Sequence, residues 1–381
     1  MDKHLLDRTS NLLPPTFELT DETVPQAERF ALALRLMEDA VAGHVFPGAA
    51  LAVTLYNRLL LWRAVGRFTY AADSPQIEPG TVWDFASLTK PIAAASMAML
   101  LYERGLLRLE ARVVELLPEF AIPYDPRRDQ VTVRMLLEHS SGLPAHRKLY
   151  LEFKGREAMV SAACAVPLEA APGEHFEYSD IGYIVLGEIL ERLAGERIDL
   201  FCQREVFDRI NLNFRFSPHP RQAIHFPPTA NDTTWRMRVI QGEVGDENAS
   251  AMDGVAAHAG LFGDALSVAR FGALMLRCGE PLFHSETVRL FTTRASLPPG
   301  TSRTPGWDTP SAPSQSGTRF SPRSFGHLGY TGTSLWCDPD RELTVTLLSN
   351  RTWPDATNQA IKQFRPVLHD AIVEAVECVK S

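Results

Sequence analysis

Three short clusters in this 381-residue chain hold side chains that could carry out acyl transfer. The first is Ser87-Leu88-Thr89-Lys90, in the context Trp83-Asp84-Phe85-Ala86. Residues three apart on a helix share a face, so the Lys90 amine can reach the Ser87 hydroxyl. A serine is a poor nucleophile until a base takes its proton, and a lysine of depressed pKa is such a base. Arginine cannot play that part. Only six of the 38 basic residues are lysines, so the position of each carries information. A solvated helix start with an exposed lysine would show the same spacing. The apolar flanks Phe85, Ala86 and Pro91 to Ala95 speak for a buried one.

The second cluster is Tyr178-Ser179-Asp180. A tyrosine can shuttle protons if nearby cations lower its pKa. A tyrosine packed at a helix start, with Ser179 or Asp180 as the cap, is the commoner use of this pattern. The third is Gly326-His327-Leu328-Gly329-Tyr330-Thr331-Gly332-Thr333, on a predicted strand. Glycines inside a strand mark the close approach of another backbone or of a ligand. Backbone N–H groups exposed in that way stabilise an oxyanion, although a plain strand-end turn would also account for the glycines.

The elements that must position these clusters follow from periodicity. Residues 1–25 read as an extended polar arm. Phe30, Leu34, Met37 and Val41 recur at helical spacing between Pro25 and Ala42. Ala49 to Tyr56 and Leu59 to Gly66 read as strands of a hairpin turning at Asn57 and Arg58. Helical segments are expected at Trp83 to Arg104, Val131 to Glu138, Arg156 to Ala165, Ile181 to Ala194 and Ala265 to Arg277. Gly300 to Ser324, rich in Pro, Gly, Ser and Thr, reads as a long loop and a candidate pocket wall. Strands follow at Ser324–Tyr330, Ser334–Asp338 and Leu343–Ser349. A closing helix from Asn358 to Val376 should be bent or interrupted by Pro366. The expectation is an α/β (α+β) fold: an antiparallel sheet flanked by the N- and C-terminal helices, with a large all-helical lobe inserted. In residue terms this means an α/β lobe of 26–80 plus 318–381 and a helical lobe of 81–317, with a ligand cleft between them.

Composition narrows the class. At 45% hydrophobic and 22% charged the chain can bury a large core, which excludes disordered and fibrous readings. A net charge of −8 argues against nucleic acid or an anionic membrane as the main partner. Cys164, Cys202, Cys278, Cys337 and Cys378 are odd in number and widely spaced, so free thiols are expected rather than a disulfide framework or thiolate zinc site. Neither His139 with His146 nor His219 with His225 has zinc-ligand spacing. The Asp246-Glu247-Asn248 run reads as a loop or helix cap. Met1 to Thr9 lacks the apolar run of a signal peptide, so a cytoplasmic location is expected.

In order and context the three clusters resemble the penicillin-recognising serine hydrolases: class C β-lactamases, D,D-peptidases, D-aminopeptidases and family VIII carboxylesterases. Those proteins carry S-x-x-K, then Y-x-N or a variant, then K-T-G or H-x-G. The resemblance runs from about Gly48 to Arg365 and includes Leu136-Leu137-Glu138-His139-Ser140-Ser141-Gly142-Leu143-Pro144. It also includes Gly254 to Phe262 and Thr346-Leu347-Leu348-Ser349-Asn350-Arg351. It implies the β-lactamase/transpeptidase fold, with Ser87 as the acyl-accepting nucleophile, Lys90 as its base and Tyr178 sharing the proton transfers. It further implies an oxyanion hole from the Ser87 and Tyr330 N–H groups, with His327, Gly329 and Asp180 lining the substrate site. No metal or organic cofactor is implied.

Two departures from the family pattern shift the expected substrate. Asp180 stands where asparagine is usual, so an amide donor to the substrate is missing. Its charge would hold Lys90 protonated if it lies close. His327 and Leu328 replace the lysine and threonine that bind a β-lactam carboxylate, leaving Arg319 or Arg323 to supply that charge. Both changes point to a carboxylesterase for small acyl esters. A D-amino-acid amidase, D,D-peptidase or weak β-lactamase, and a non-catalytic binding protein, are the alternatives. The absence of a G-x-S-x-G elbow, a Walker A loop and a G-x-G-x-x-G motif leaves other hydrolase and nucleotide chemistries without support.

Overall fold

Gly48–Leu55 and Leu343–Ser349 are buried almost throughout, as strands covered on both faces are, and they pair side by side at the centre of a six-stranded sheet. The computed structural model describes residues 18–24, 28–216 and 226–377. Most of the expected N-terminal arm, His219, His225 and Cys378 lie outside the described residues. Across the sheet the order is Thr20–Asp21, Arg58–Gly66, Gly48–Leu55, Leu343–Ser349, Ser334–Asp338 and Phe325–Leu328. All neighbours are antiparallel except Thr20–Asp21, which runs parallel to Arg58–Gly66. The first hairpin turns through Tyr56 and Asn57, both at positive φ, one residue earlier than predicted.

The helices Ala31–Ala42 and Ile361–Glu377 cover one face, burying Ala49, Leu51, Val53, Val345 and Leu347. Ala50, Ala52, Leu335 and Leu348 face the other way into the larger core, beneath the helix Ala265–Leu276. That helix sits close because Gly272 faces the sheet; a Cβ there would lie 2.9 Å from Leu335 Cδ1. The closing helix is continuous through Pro366, so the interruption expected as one of two outcomes does not occur. Proline leaves the carbonyl four residues earlier without its helical donor, and here Gln315 Nε2 supplies one to Lys362 O at 3.0 Å.

The fold class is as expected, but the insertion is not purely helical. Trp83–Asp84, Phe214–Phe216 and Leu261–Gly263 form one small sheet, and Ala230–Asp232 with Arg238–Ile240 another. Strands of two or three residues show no alternation, so nothing in the sequence pattern marks them. The predicted helix from Trp83 is corrected for the same reason. Trp83 and Asp84 pair with Gly263 and Phe262. The chain then passes through a 3-10 turn at Ala86–Leu88 and a π-helix at Lys90–Ala95 before the α-helix Ser96–Glu103. Among the described residues no helix is long and apolar enough to cross a membrane.

The glycine-rich third cluster leaves Phe325–Leu328 and folds onto the Trp83–Phe85 segment. Thr331 Oγ1 donates to Asp84 O at 2.8 Å and Thr333 Oγ1 to Phe85 O at 2.9 Å. Gly329 lies at the seam, where a Cβ would stand 1.9 Å from Thr333 Oγ1 and 2.4 Å from Phe85 O. Gly329→Ala is therefore expected to lower the free energy of unfolding by about 1–3 kcal/mol, as overpacking does, measured by urea titration. A variant as stable as the parent would show that the seam is not rigid.

Candidate active site

Ser87 sits directly after a strained residue: Ala86 has φ +47°, a conformation that side chains rarely adopt. The strain is held by Asp84, whose Oδ1 accepts the Ala86 N–H at 2.9 Å and whose Oδ2 accepts the Gly245 N–H at 2.6 Å. Burial pushes the Asp84 carboxyl up to about 6, against these two N–H donors. Thr89 Oγ1 closes the turn by donating to Ala86 O at 2.6 Å and accepting from Leu261 N at 3.1 Å.

Lys90 points back from the π-helix with its side chain fully buried. Its Nζ lies 3.1 Å from Ser87 Oγ, 2.6 Å from Asp180 Oδ1 and 3.1 Å from His258 O. Burial works to lower the Lys90 pKa, but the Asp180 carboxylate and Tyr178 outweigh it, and the net direction is upward. Asp180 thus faces the lysine, and the resting amine is an ammonium. The His258 carbonyl is placed by its own ring, whose Nε2 lies 2.9 Å from Asp246 Oδ1. Asp246 also caps the Ala249 N–H at 2.7 Å, the helix-cap role expected for that run.

Tyr178 precedes Ser179, the N-cap of the helix Asp180–Ala194, whose Oγ accepts from Gly182 N at 2.9 Å. The residue is half-buried with its hydroxyl oxygen turned inward towards Lys90 and Ser87, and Lys90 Nζ lies 4.8 Å from its ring centroid. A lowered tyrosine pKa is not what the structure shows: burial pushes it up more than Lys90 pulls it down. Such a phenol rests protonated and is a weaker acid than a free tyrosine. His139 holds the tyrosine segment, with Nδ1 accepting the Ser179 N–H at 3.0 Å, its carbonyl accepting the Glu177 N–H at 2.9 Å, and its ring 4.5 Å from that of Tyr178.

His327 is buried on the facing strand, its ring 5.9 Å from that of Tyr178. Burial, with Arg303 and Lys90 nearby, lowers its pKa well below the usual value, so the imidazole is neutral. With Nδ1 donating to Leu328 O at 2.8 Å, Nε2 is left as a buried acceptor without a partner. Tyr330 exposes its side chain but keeps its backbone beside the nucleophile turn. Among the described residues, neither the Ser87 nor the Tyr330 N–H donates to a backbone carbonyl. Ser87, Tyr178, Asp180, His327, Gly329 and Tyr330 all line one cleft of about 830 Å³.

The expected anchors Arg319 and Arg323 do not reach this cleft. Arg319 pairs with Glu374 and Glu377 on the closing helix, and Arg323 pairs with Asp340. The cleft instead takes Arg303 from the long loop, whose backbone bridge between Asp308 and Gly326 brings it in. Its guanidinium lies 4.7 Å from the Phe176 ring and 5.3 Å from the Tyr178 ring, only 3.7 Å from Asp308, with Nε buried and unpartnered. The sequence assigns no role to Arg303, which stands at no motif position, nor to Asp84 and Arg351, which lie within motif segments but whose partners are distant in the chain, nor to Arg365.

Asp180→Asn tests the electrostatics. Removing the carboxylate leaves burial as the main influence on Lys90, so its pKa should fall and the neutral amine should appear at lower pH. The rising limb of the pH–acylation profile should move towards acid, and an unmoved limb would mean that Lys90 is not the titrating base.

Comparison with known proteins identifies the family and the fold. Residues 34–365 match the protein-family model described as Beta-lactamase. A putative D-alanyl-D-alanine carboxypeptidase from Escherichia coli (strain K12) is 32% identical over 71% of this chain and 69% of its own. An N-acetylmuramyl-L-alanine amidase from Bacillus subtilis (strain 168) is 31% identical over 82% of this chain and 78% of its own. The solved structure of EstCE1, a hydrolase with promiscuous acyltransferase activity, shares the fold with a TM-score of 0.73 at 22% identity, covering 91% of this chain and 98% of that one. A penicillin-binding protein homologue from Caulobacter crescentus shares it with a TM-score of 0.72 at 18% identity, covering 91% and 98%. With the family model spanning most of its length, the chain belongs to the Beta-lactamase family of serine hydrolases.

Proposed function

We propose that the protein cleaves small acyl amides and esters through an acyl-Ser87 intermediate, and that Arg303 binds a carboxylate on the substrate. The observation that carries this reading is Lys90 Nζ at 3.1 Å from Ser87 Oγ, with two unengaged N–H groups beside them. Neutral Lys90 takes the Ser87 proton as Oγ attacks the acyl carbonyl, and the oxygen becomes an oxyanion facing the Ser87 and Tyr330 N–H groups. The bond to the leaving group then breaks, and that group departs with a proton from Tyr178 or Lys90. Water gives a proton to the same pair as it attacks the acyl-enzyme, and the bond to Ser87 Oγ then breaks, with Oγ taking that proton back as the acid is released. Because Asp180 keeps most of the lysine charged at neutral pH, rate should rise with pH until the amine titrates.

Two observations bear on the substrate. Arg303, loosely paired and with an unpartnered Nε, is suited to a leaving group that ends in a carboxylate. Carboxypeptidase and amidase relatives at 31–32% identity support the same choice. Short esters form the second reading, favoured by Asp180: bound to Lys90, it offers no amide donor to an amide substrate. Ester cleavage depends less on protonating the leaving group.

Incubation with a fluorophosphonate probe and p-nitrophenyl butyrate, followed by mass-spectrometric mapping, tests the shared step. The expected result is a label on Ser87 and a nitrophenol burst, both abolished in folded Ser87→Ala and Lys90→Ala. An unlabelled Ser87 would favour the non-catalytic alternative. Arg303→Gln should raise KM for a D-alanyl-D-alanine-terminated peptide by about tenfold or more, while leaving p-nitrophenyl butyrate within about twofold. Equal effects on both would remove the carboxylate assignment and favour the ester reading.

A further inference from the structure

Two guanidinium groups lie against the Gly329–Thr333 turn with no carboxylate to balance them. Arg351 and Arg365 are 5% and 4% exposed, and their hydrogen bonds all go to main-chain carbonyls. Arg351 Nε donates to Tyr330 O at 2.8 Å, and its Nη1 to Ala356 O at 3.1 Å and Asn358 O at 3.3 Å. Arg365 Nη2, from the closing helix, donates to Thr333 O at 3.0 Å and Gly329 O at 3.3 Å, while its Nε has no partner. Among the described residues neither arginine forms an ion pair. Burial, and then the charge of Arg351, push the Arg365 pKa down to about 9, which still leaves it a cation at neutral pH. Burying an unbalanced charge is costly, and neutral donors would satisfy carbonyls at less expense.

The identity of the acceptors gives these charges a use. Gly329 O and the Tyr330 N–H belong to the same peptide unit. A cation hydrogen-bonded to the oxygen draws electron density across that unit and strengthens its N–H as a donor. Arg351 fixes the next carbonyl along and lies 4.5 Å from the Tyr330 ring, so two successive carbonyls are each held by an arginine. We propose that Arg365, aided by Arg351, is a positioning residue that orients and polarises the Gly329–Tyr330 peptide, so that the Tyr330 N–H stabilises the oxyanion of acylation. This rests on the acyl-Ser87 reading above. In that reading the missing counter-charge is the oxyanion itself, which exists only during reaction, where preorganised positive potential is most effective.

The test compares the full chain with Arg365→Gln and Arg365→Lys. Each is checked for folding by thermal melting, for turnover with p-nitrophenyl butyrate, and for affinity for phenylboronic acid, whose adduct with serine mimics the oxyanion. Labelling of wild-type Ser87 by fluorophosphonate comes first, and its failure would remove the parent reading before any variant is compared. Given a labelled wild type, Arg365→Gln should lose about 10²-fold in kcat with KM within about threefold, and lose phenylboronate affinity in parallel. Arg365→Lys, which keeps the charge, should lose less than about tenfold. The proposal is overturned if folded Gln stays within about twofold of wild type, if Lys falls as far as Gln, or if KM rises with phenylboronate affinity unchanged. Should the Gln variant not fold, the Lys variant decides alone, and a folded Lys variant losing more than about tenfold in kcat overturns the proposal.

Discussion

A lysine side chain with no exposure to water cannot stay charged without close partners, and the partners of Lys90 assemble this site. They come from the nucleophile turn, the N-terminus of the Asp180 helix and the backbone at His258, and the rings of Tyr178 and Tyr183 flank the ammonium at 4.8 and 5.3 Å. Moving any of these segments would leave a buried charge unpaired. The ion pair with Asp180 therefore has two effects at once: it stabilises the junction of three segments and keeps the amine protonated at rest. Neither effect can be changed without the other.

The second constraint is the seam between the sheet and the nucleophile turn. Edge strand Phe325–Leu328 ends in a turn whose two threonine hydroxyls donate to the carbonyls of Asp84 and Phe85. Register in the sheet is thereby passed to the position of Ser87. The same turn is held by hydrogen bonds from Arg351 and Arg365, and the strained Ala86 by the Asp84 carboxylate. Ser87 and the Gly329–Thr333 turn are thus fixed relative to one another by contacts to the backbone.

Much of the fold was readable from periodicity. Helices at Arg156–Ala165 and near Ile181–Ala194 and Ala265–Leu276 have strong apolar spacing and appear within a residue or two of where it places them. Ser334–Asp338 and Leu343–Ser349 are equally plain, as short runs rich in apolar and β-branched residues on either side of the Pro339-Asp340 turn. The short strands at Trp83–Asp84 and Leu261–Gly263 were not readable, since two or three residues carry no period. Nor was the unbroken helix at Pro366, which depends on Gln315 arriving from a distant loop.

The sequence by itself determined the chemical inventory: a serine and a lysine three apart, a tyrosine before a helix cap, and a glycine-rich strand end with His327. Spacing and residue type are local, and local chemistry is what a linear pattern records. Only the tertiary structure decided the charges. Asp180 turned out to face Lys90, Tyr178 to be driven upward by burial, and Arg303 rather than Arg319 or Arg323 to enter the cleft. These outcomes depend on desolvation and on Coulomb terms between residues far apart in the chain. Such terms grow as charges approach and as water is excluded, so they take their values only once the chain has folded.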